Sequence, residues 1–505
     1  MTDGPSASLD GPPCAAPPDP AGPGAPARRE ASSLPLAVDL DGTLIRSDTL
    51  HEGVINLMRG RRLPAWQRLG GSLGRGKAAF KREVSERVVF DASLLPYNEA
   101  VLDWLRAERA AGRRIGLFTA ADQSIAEAVA AHLGLFDVAR GSDGVTNLSG
   151  AAKAAAIRGC FGERFAYAGD SGADMPVFAA AGSVVLVGPR SRRLEGRLPA
   201  GKLVETVFPS GAAGLAVWAR ALRLQHWAKN SLVFVAPVLG SHLSPAVLGQ
   251  AGLLFVLLGL LASATYVVND LLDLSADRQH PKKRFRPFAS GAIPPRDGVF
   301  AALGLIVAAF GIAALALAPA ALLALAAYLG ITLAYSLGLK RQPLVDVVVL
   351  AGLFTLRVLA GNLLVTTQVS PWLLTFSMLF FLGLAMIKRY AELGRVVDEG
   401  RAVVAARGYT SRDLPLLLAA GLASGFAAVV IFTIYLINDQ YPRDVYGTPT
   451  LLWAMVPVLL VWTLRMWHLT LHGRMDEDPV VFALRDRFSL GLGGAVVLIL
   501  MAAWL

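Results

Sequence analysis

The sequence predicts two domains of different class: an α/β domain over residues 34–205, then an all-α bundle of nine transmembrane helices over residues 225–505. Three observations predict it. Apolar residues make up 54% of the 505 residues and mean hydropathy is +0.50, too apolar for a chain that is soluble throughout. The excess begins beyond about Gly214, where long apolar runs are separated by short charged loops. Before that point, short apolar runs ending in Asp or Thr alternate with amphipathic helical stretches, the order of an α/β fold.

Residues 1–33 form a leader rich in Pro, Ala and Gly with no apolar core. It is not a signal peptide and is expected to be disordered. Cys14 and Cys160 make no disulfide framework and fit a reducing cytosol. A net charge of +10 raises the question of nucleic acid, but the basic residues sit mainly in loops between apolar runs, where membrane topology accounts for them. No nucleic-acid partner is expected.

In the α/β part, the run Leu36 to Asp41 reads as a short strand ending in two carboxylates, Asp39 and Asp41. Alternation puts both on one side, at the carboxyl edge where open α/β sheets bind ligands. Arg114–Ala120 is a second strand, with Thr119 near its end, and Lys153 follows Ser149 at the start of a helix. Phe165–Asp174 is a third strand, ending in Asp170 and Asp174, and amphipathic stretches at Asn98–Ala111 and Ser124–Leu133 fill the gaps. Each piece is common by chance. In this order, at strand ends, the four together resemble the haloacid dehalogenase (HAD) superfamily of phosphatases. The resemblance implies a Rossmann-like fold with a small helical cap at about residues 46–95. It also implies Asp39 as nucleophile, Asp41 as acid and base, and Thr119 and Lys153 as holders of the phosphoryl group. Magnesium would sit on Asp39 and Asp170, supported by Asp174. In the cap, Arg59, Arg61, Arg62, Lys77, Lys81 and Arg82 could meet an anionic substrate or form a solvated basic face, and the residues leave both open.

Residues 206–224 read as a linker. Beyond it, nine apolar segments lie near 230–243, 248–268, 299–317, 320–337, 344–365, 372–387, 414–437, 451–466 and 490–505. Lys and Arg cluster after the second, fourth, sixth and eighth, which places those loops, and the N-terminal domain with them, in the cytoplasm. The polar motifs gather on that face. Asn269, Asp273 and Asp277 recur every four residues on one helix face, with Asp270 beside them. Like charges at that spacing repel, so a cation is expected there. Hard oxygen donors suit magnesium, which bridges carboxylates to substrate phosphates. The run His280 to Pro287, with Lys282, Arg284 and Arg286, supplies donors for those phosphates. Lys229 opens the first segment, and Tyr335 to Lys340 joins the fourth and fifth. Arg357 lies inside the fifth, Lys388, Arg389 and Glu392 close the sixth, and Arg485 and Arg487 precede the ninth. Snorkelling anchors would account for many of these arginines, but not for Asp273, Asp277, Asp346 and Glu392 among them.

These motifs resemble the UbiA superfamily of intramembrane transferases, and within it the branch that moves phosphoribose from phosphoribosyl diphosphate to decaprenyl phosphate. The resemblance implies magnesium on Asn269, Asp270, Asp273 and Asp277, holding the leaving diphosphate, with Asp273 and Asp277 central to catalysis. Lys282, Arg284, Arg286, Lys340 and Arg357 are candidates for the donor's phosphates. Lys229, Lys388, Arg389, Arg485 and Arg487 are candidates for the acceptor phosphate. The expected protein is a multi-pass enzyme of the inner (cell) membrane, with one magnesium site in each domain. Its expected partners are a polyprenyl phosphate, phosphoribosyl diphosphate and the bilayer; a homo-oligomer is left open. The HAD domain would then remove the 5-phosphate of the transferred ribose. The alternative is an aromatic prenyltransferase using polyprenyl diphosphate, with a regulatory or unrelated HAD domain. That group usually shows paired aspartates in a second motif, where this chain has Lys340, Arg341 and a single Asp346.

Overall fold

A computed structural model describes residues 33–59, 74–88, 90–211, 213–240, 243–365, 369–398, 403–404, 408–442, 446–475 and 478–505. Except for Ser33, the expected leader lies outside them, as do Arg61 and Arg62 of the expected cap. Among the described residues, 33–50 with 74–211 form one compact unit, and 51–59 with 213–505 the other. The expected cap is therefore divided. Its first helix, α1 (Thr49–Arg59), leaves only its first two residues in the first unit, while α2 (Lys77–Arg87) belongs there entirely.

The first unit is a parallel sheet of six strands in the order β3-β2-β1-β4-β5-β6. The strands are β1 (Leu36–Val38), β2 (Ile115–Asp122), β3 (Val138–Ser142), β4 (Ala166–Gly169), β5 (Ser183–Val187) and β6 (Leu203–Phe208). Helices flank both faces: α3 (Glu99–Ala110), α4 (Gln123–Leu133), α5 (Gly150–Phe161), α6 (Met175–Ala180) and α7 (Ser191–Glu195). Strands covered on both sides read as unbroken apolar runs, which is why Leu36-Ala37-Val38 has no polar residue. Leu36 and Val38 enter the core on one face of the sheet and Ala37 the core on the other. Strand order reverses between β1 and β4, whose Val38 and Ala168 are paired, so a crevice opens at their carboxyl ends. Local signals close the helices: the Asp122 side chain caps α4 through Ser124 N at 3.0 Å, and Gly134 at φ 63° ends it.

The second unit is helical, as expected, and eight of its helices among the described residues are long and apolar enough to cross a membrane. Its elements run α8 (Leu215–Leu222), a 3-10 segment (Leu224–Phe234), α9 (Val235–Leu239), α10 (Pro245–Leu272), α11 (Leu274–Gln279), α12 (Pro295–Ala316) and α13 (Pro319–Leu337). They continue with α14 (Val345–Asn362), α15 (Pro371–Asp398), α16 (Leu414–Tyr435), α17 (Met455–Leu471), α18 (Pro479–Ala483) and α19 (Arg487–Trp504). Several open on proline at the first turn, where its missing N–H has no partner to lose.

The count of nine spans needs one correction. The first expected segment, 230–243, is no single helix but the 3-10 segment followed by the five-residue α9. At about 2 Å per residue for 3-10 and about 1.5 Å for α, residues 224–239 still extend roughly 30 Å, the thickness of a hydrocarbon core. Two glycines let this narrow segment lie flat on its neighbours. A Cβ on Gly259 of α10 would stand 2.5 Å from the Trp227 ring, and one on Gly361 of α14 only 2.0 Å from the Val233 carbonyl oxygen. Backbone cannot step aside as a side chain can. Gly361→Ala should therefore lower the unfolding temperature of the purified protein by roughly 5 °C or more, whereas Gly304→Ala, with open space around it, should not. Equal behaviour of the two variants would show that the close packing is not needed.

Candidate active site

At the β1/β4 crevice, Asp39 donates its backbone N–H to Ala168 O at 3.0 Å and accepts from Leu40 N on its own Oδ1 at 2.9 Å. Lys153 Nζ, from α5, lies 2.9 Å from Asp39 Oδ1 and 3.1 Å from Asp174 Oδ1, and donates to Tyr167 Oη at 3.0 Å. Tyr167 Oη in turn donates to Asp174 Oδ1 at 2.8 Å, and Ser171 Oγ to Oδ2 at 2.8 Å. Thr119 is fully buried near the end of β2. Gly42 turns the chain at φ 77°, and a Cβ there would stand 2.3 Å from Asp170 Oδ2. Only glycine fits.

Asp39, Asp170 and Asp174 bring carboxylate oxygens within 4.8 Å of one another, the one such acidic group among the described residues. One lysine faces three carboxylates. Burial, with the charges of Asp39 and Asp174, pushes Asp170 up to about 8. Asp39 rises to about 6 by burial, against the pull of Lys153. That negative surplus on hard oxygen donors fits a divalent cation. Asp41 is held by the start of α1, accepting from Thr49 N at 2.8 Å and Thr49 Oγ1 at 3.2 Å. Burial first, then the Asp48 charge, lifts it well above the usual carboxylate range, as suits a proton donor. Among the described basic residues of the expected cap, Lys81 donates to Ala120 O at 2.6 Å and Asn147 Oδ1 at 2.9 Å. Burial lowers its pKa while Asp41 and Asp48 raise it, so it lies within their field. Arg82 instead reaches Asp143 O at 2.8 Å.

In the second unit the acidic register divides into two pairs. Helix α10 ends at Leu272 and α11 begins at Leu274, yet Asp273 N and Asp277 N still donate to Asn269 O and Asp273 O at 2.9 Å and 2.8 Å; the seven-residue step puts Asp277 about 20° from Asp270, against about 80° from Asn269. Lys340 donates to Asn269 Oδ1 at 2.9 Å and Asp273 Oδ2 at 2.6 Å. Arg286 reaches Asp270 Oδ1 at 3.2 Å and Asp277 Oδ2 at 2.6 Å, and Arg223 also bonds Asp270. Lys340 and Arg286 thus each bridge one pair of oxygen donors, and, unlike Asp39, Asp170 and Asp174, Asp270, Asp273 and Asp277 are not gathered within 4.8 Å of one another. Their carboxylate and amide oxygens have the donor chemistry magnesium takes.

A second polar cluster stands beside the first. Lys229 and Lys388 both reach Asp478 Oδ2, at 2.8 Å and 2.7 Å. The two ammonium groups are at most about 5.5 Å apart and repel by about 3 kcal/mol at an effective dielectric near 20. Burial would raise the Asp478 pKa, but Lys388 and Lys229 outweigh it and hold the carboxyl well below its ordinary range. Arg357 donates to Asn230 Oδ1 at 3.0 Å and Tyr328 Oη at 2.9 Å. The 3-10 segment links both clusters: Arg223 just before it touches Asp270, and Lys229 within it touches Asp478. An open apolar groove of about 760 Å³, lined by Gly330, Ile331, Gly352, Thr355, Met378 and Leu379, runs between α13, α14 and α15.

Other expected residues stand apart. Lys282, Arg284, Arg485 and Arg487 are exposed. Arg389 is fully buried, 2.8 Å from Asp346 Oδ2 and paired with Glu392, and Tyr409 Oη donates to Asp346 Oδ1 at 2.5 Å. That pairing ties α14 to α15, so Arg389 is not beside Lys388 at an anion. Sequence reasoning missed Asp478, Arg223 and Tyr167. A signal existed for Asp478, since Asp before Pro at a helix start marks an N-cap.

The UbiA prenyltransferase family matches residues 231–490, and haloacid dehalogenase-like hydrolase matches residues 36–182. An uncharacterized protein, y4nM, of Sinorhizobium fredii is 40% identical over 472 residues, 92% of this chain and 90% of that one. Decaprenyl-phosphate phosphoribosyltransferase of Mycobacterium tuberculosis is 32% identical over 292 residues, 57% of this chain and 91% of that one. Nodulation protein NoeC of Azorhizobium caulinodans is 30% identical over 276 residues, 54% of this chain and 88% of that one.

The carboxylate surplus at β1/β4 has a measurable consequence. Native Asp39 and Asp170 keep protons that the unfolded chain has released above pH about 4, so metal-free stability falls as pH rises from about 4 to about 8. In chelator, Asp170→Asn should raise the unfolding temperature by roughly 2–4 °C at pH 8 and by less at pH 5. It should also reduce the rise that magnesium gives the wild type. A destabilised variant, or one whose response to magnesium is undiminished, would contradict this electrostatic account.

Proposed function

The chain belongs to the UbiA prenyltransferase family, with a haloacid dehalogenase-like hydrolase domain ahead of it, and on that premise we propose a bifunctional enzyme of the inner membrane. Its membrane unit transfers 5-phosphoribose from phosphoribosyl diphosphate to a polyprenyl phosphate, and its cytoplasmic domain removes the 5-phosphate from the product. The observation that carries this reading is the charge balance of the polar clusters. Six cations, Arg223, Lys229, Arg286, Lys340, Arg357 and Lys388, stand among four carboxylates, Asp270, Asp273, Asp277 and Asp478. A positive surplus with oxygen donors suits two phosphorylated substrates better than one prenyl diphosphate and a neutral aromatic ring. The likeness to decaprenyl-phosphate phosphoribosyltransferase supports the same choice.

Asn269, Asp270, Asp273 and Asp277 would hold magnesium, which would neutralise charge on the leaving diphosphate. Arg286, Arg223 and Lys340, which hold those side chains, would face the same phosphate oxygens. Lys229 and Lys388 fix the acceptor phosphate. One of its oxygens forms the new bond to the sugar's anomeric carbon as the bond to diphosphate breaks. The acceptor is already ionised, so no strong base is needed, and positioning two anions that otherwise repel supplies most of the rate. The apolar groove at Gly352 and Met378 suits a prenyl chain.

In the HAD domain, an Asp39 oxygen forms a bond to phosphorus while Asp41 gives its proton to the departing ribose oxygen. Asp41 then takes a proton from the water that frees phosphate. Lys153 holds Asp39 and would face the phosphoryl oxygens, and Asp39, Asp170 and Asp174 would hold magnesium, which would neutralise them. With labelled phosphoribosyl diphosphate and polyprenyl phosphate, Asp39→Asn should accumulate the 5-phosphorylated lipid and lose the dephosphorylated one at least a hundredfold. An unchanged product ratio would separate the two activities.

A further inference from the structure

Asp478 takes no part in the transfer as described, yet it is placed with unusual economy. Its Oδ1 accepts from Val480 N at 3.2 Å, capping α18, and its Oδ2 receives Lys229 and Lys388 together. The three residues come from segments far apart in the chain: the 3-10 segment, α15, and the turn into α18. The cap fixes the carboxylate by backbone, so the lysines are positioned by a group that cannot drift. Lys229 and Asp478 are nearly buried, while Lys388 is about one-third exposed, so the pair is open on one side. Lys229 Nζ also lies 5.5 Å from the Phe354 ring centroid, which holds its stem against α14.

Two ammonium groups converging on one oxygen make a fork, and a phosphate monoester, dianionic with three equivalent oxygens, can accept from both prongs at once. A neutral hydroxyl offers a single oxygen and no charge to offset theirs. We propose that Asp478 is the positioning residue of a phosphate-monoester seat formed by Lys229 and Lys388, and that the seat takes the phosphate of the lipid acceptor. Without Asp478 the lysines repel and separate, so the seat must be rebuilt each time the acceptor binds. This rests on the proposed transfer for its substrate, but the fork's preference for a phosphate over a hydroxyl does not.

Two measurements on full-length protein in detergent test it. In the first, without any diphosphate donor, wild type should bind polyprenyl phosphate at least tenfold more tightly than the corresponding polyprenol. Asp478→Asn and Lys229→Met should each erase most of that preference, and Asp478→Glu should keep it. Equal binding of the two lipids by wild type, or an undiminished preference in Asp478→Asn, overturns the seat. In the second, steady-state transfer should show the KM for polyprenyl phosphate raised about tenfold in Asp478→Asn, the KM for phosphoribosyl diphosphate within twofold, and kcat reduced less than fivefold. Asp478→Glu should recover most of the lipid KM. If the donor KM rises instead, the seat holds the donor's 5-phosphate and the acceptor assignment is wrong. A loss confined to kcat, with no rescue by Glu, reduces Asp478 to a structural cap. If wild type transfers nothing while the first measurement succeeds, the proposed function fails and the seat stands.

Discussion

The membrane unit depends on pairing buried carboxylates with cations that come from distant parts of the chain. An unpaired carboxylate or ammonium out of water costs several kcal/mol, and burying the pair is tolerable only with close, hydrogen-bonded geometry. Asp270 and Asp277 have Arg286, Asp273 has Lys340, Asp346 has Arg389, and Asp478 has two lysines. These pairs tie helix ends together. The same pairs keep in place the charges that the proposed transfer would use.

The HAD-like unit uses the opposite imbalance. Three carboxylates stand around one lysine, and two of them are pushed up to about 6 and about 8 because burial penalises the charge. Such a site is poor in cations and suits a divalent ion, while the membrane clusters are rich in cations and suit anionic substrates. The two units thus offer complementary electrostatics to phosphorylated ligands.

Much of this was legible in the chain itself, for identifiable reasons. Asp39, Asp41, Thr119 and Asp170 sit at or just past strand ends, which strand order brings together, and Lys153 reaches them from the first turn of α5, so local pattern sufficed. The carboxylates from Asp270 to Asp277 were legible because charges at the end of a long apolar helix stand out against it. Their partners were not: Lys340 and Arg286 reach them from 67 and 9 residues away. Arg389 and Lys388 are neighbours in sequence, yet one is bound to Asp346 and the other to Asp478, because adjacent residues on a helix point about 100° apart. Asp478 lies in a short acidic run that reads as solvated loop, and its partners are 90 and 249 residues away. The first apolar segment lies within and after a 3-10 run whose Trp227 and Val233 press against glycines on other helices, tertiary contacts that periodicity cannot reveal.

The central claim is that these charge-paired clusters form a transfer site for two phosphorylated substrates. It is tested most directly by mass spectrometry of the lipids formed when reconstituted wild-type protein receives phosphoribosyl diphosphate, magnesium and a polyprenyl phosphate. The account predicts a new lipid heavier than the acceptor by one ribosyl or phosphoribosyl group, lost in Asp273→Asn. No such lipid, together with a prenylated ring when polyprenyl diphosphate and an aromatic acceptor are supplied, would contradict it.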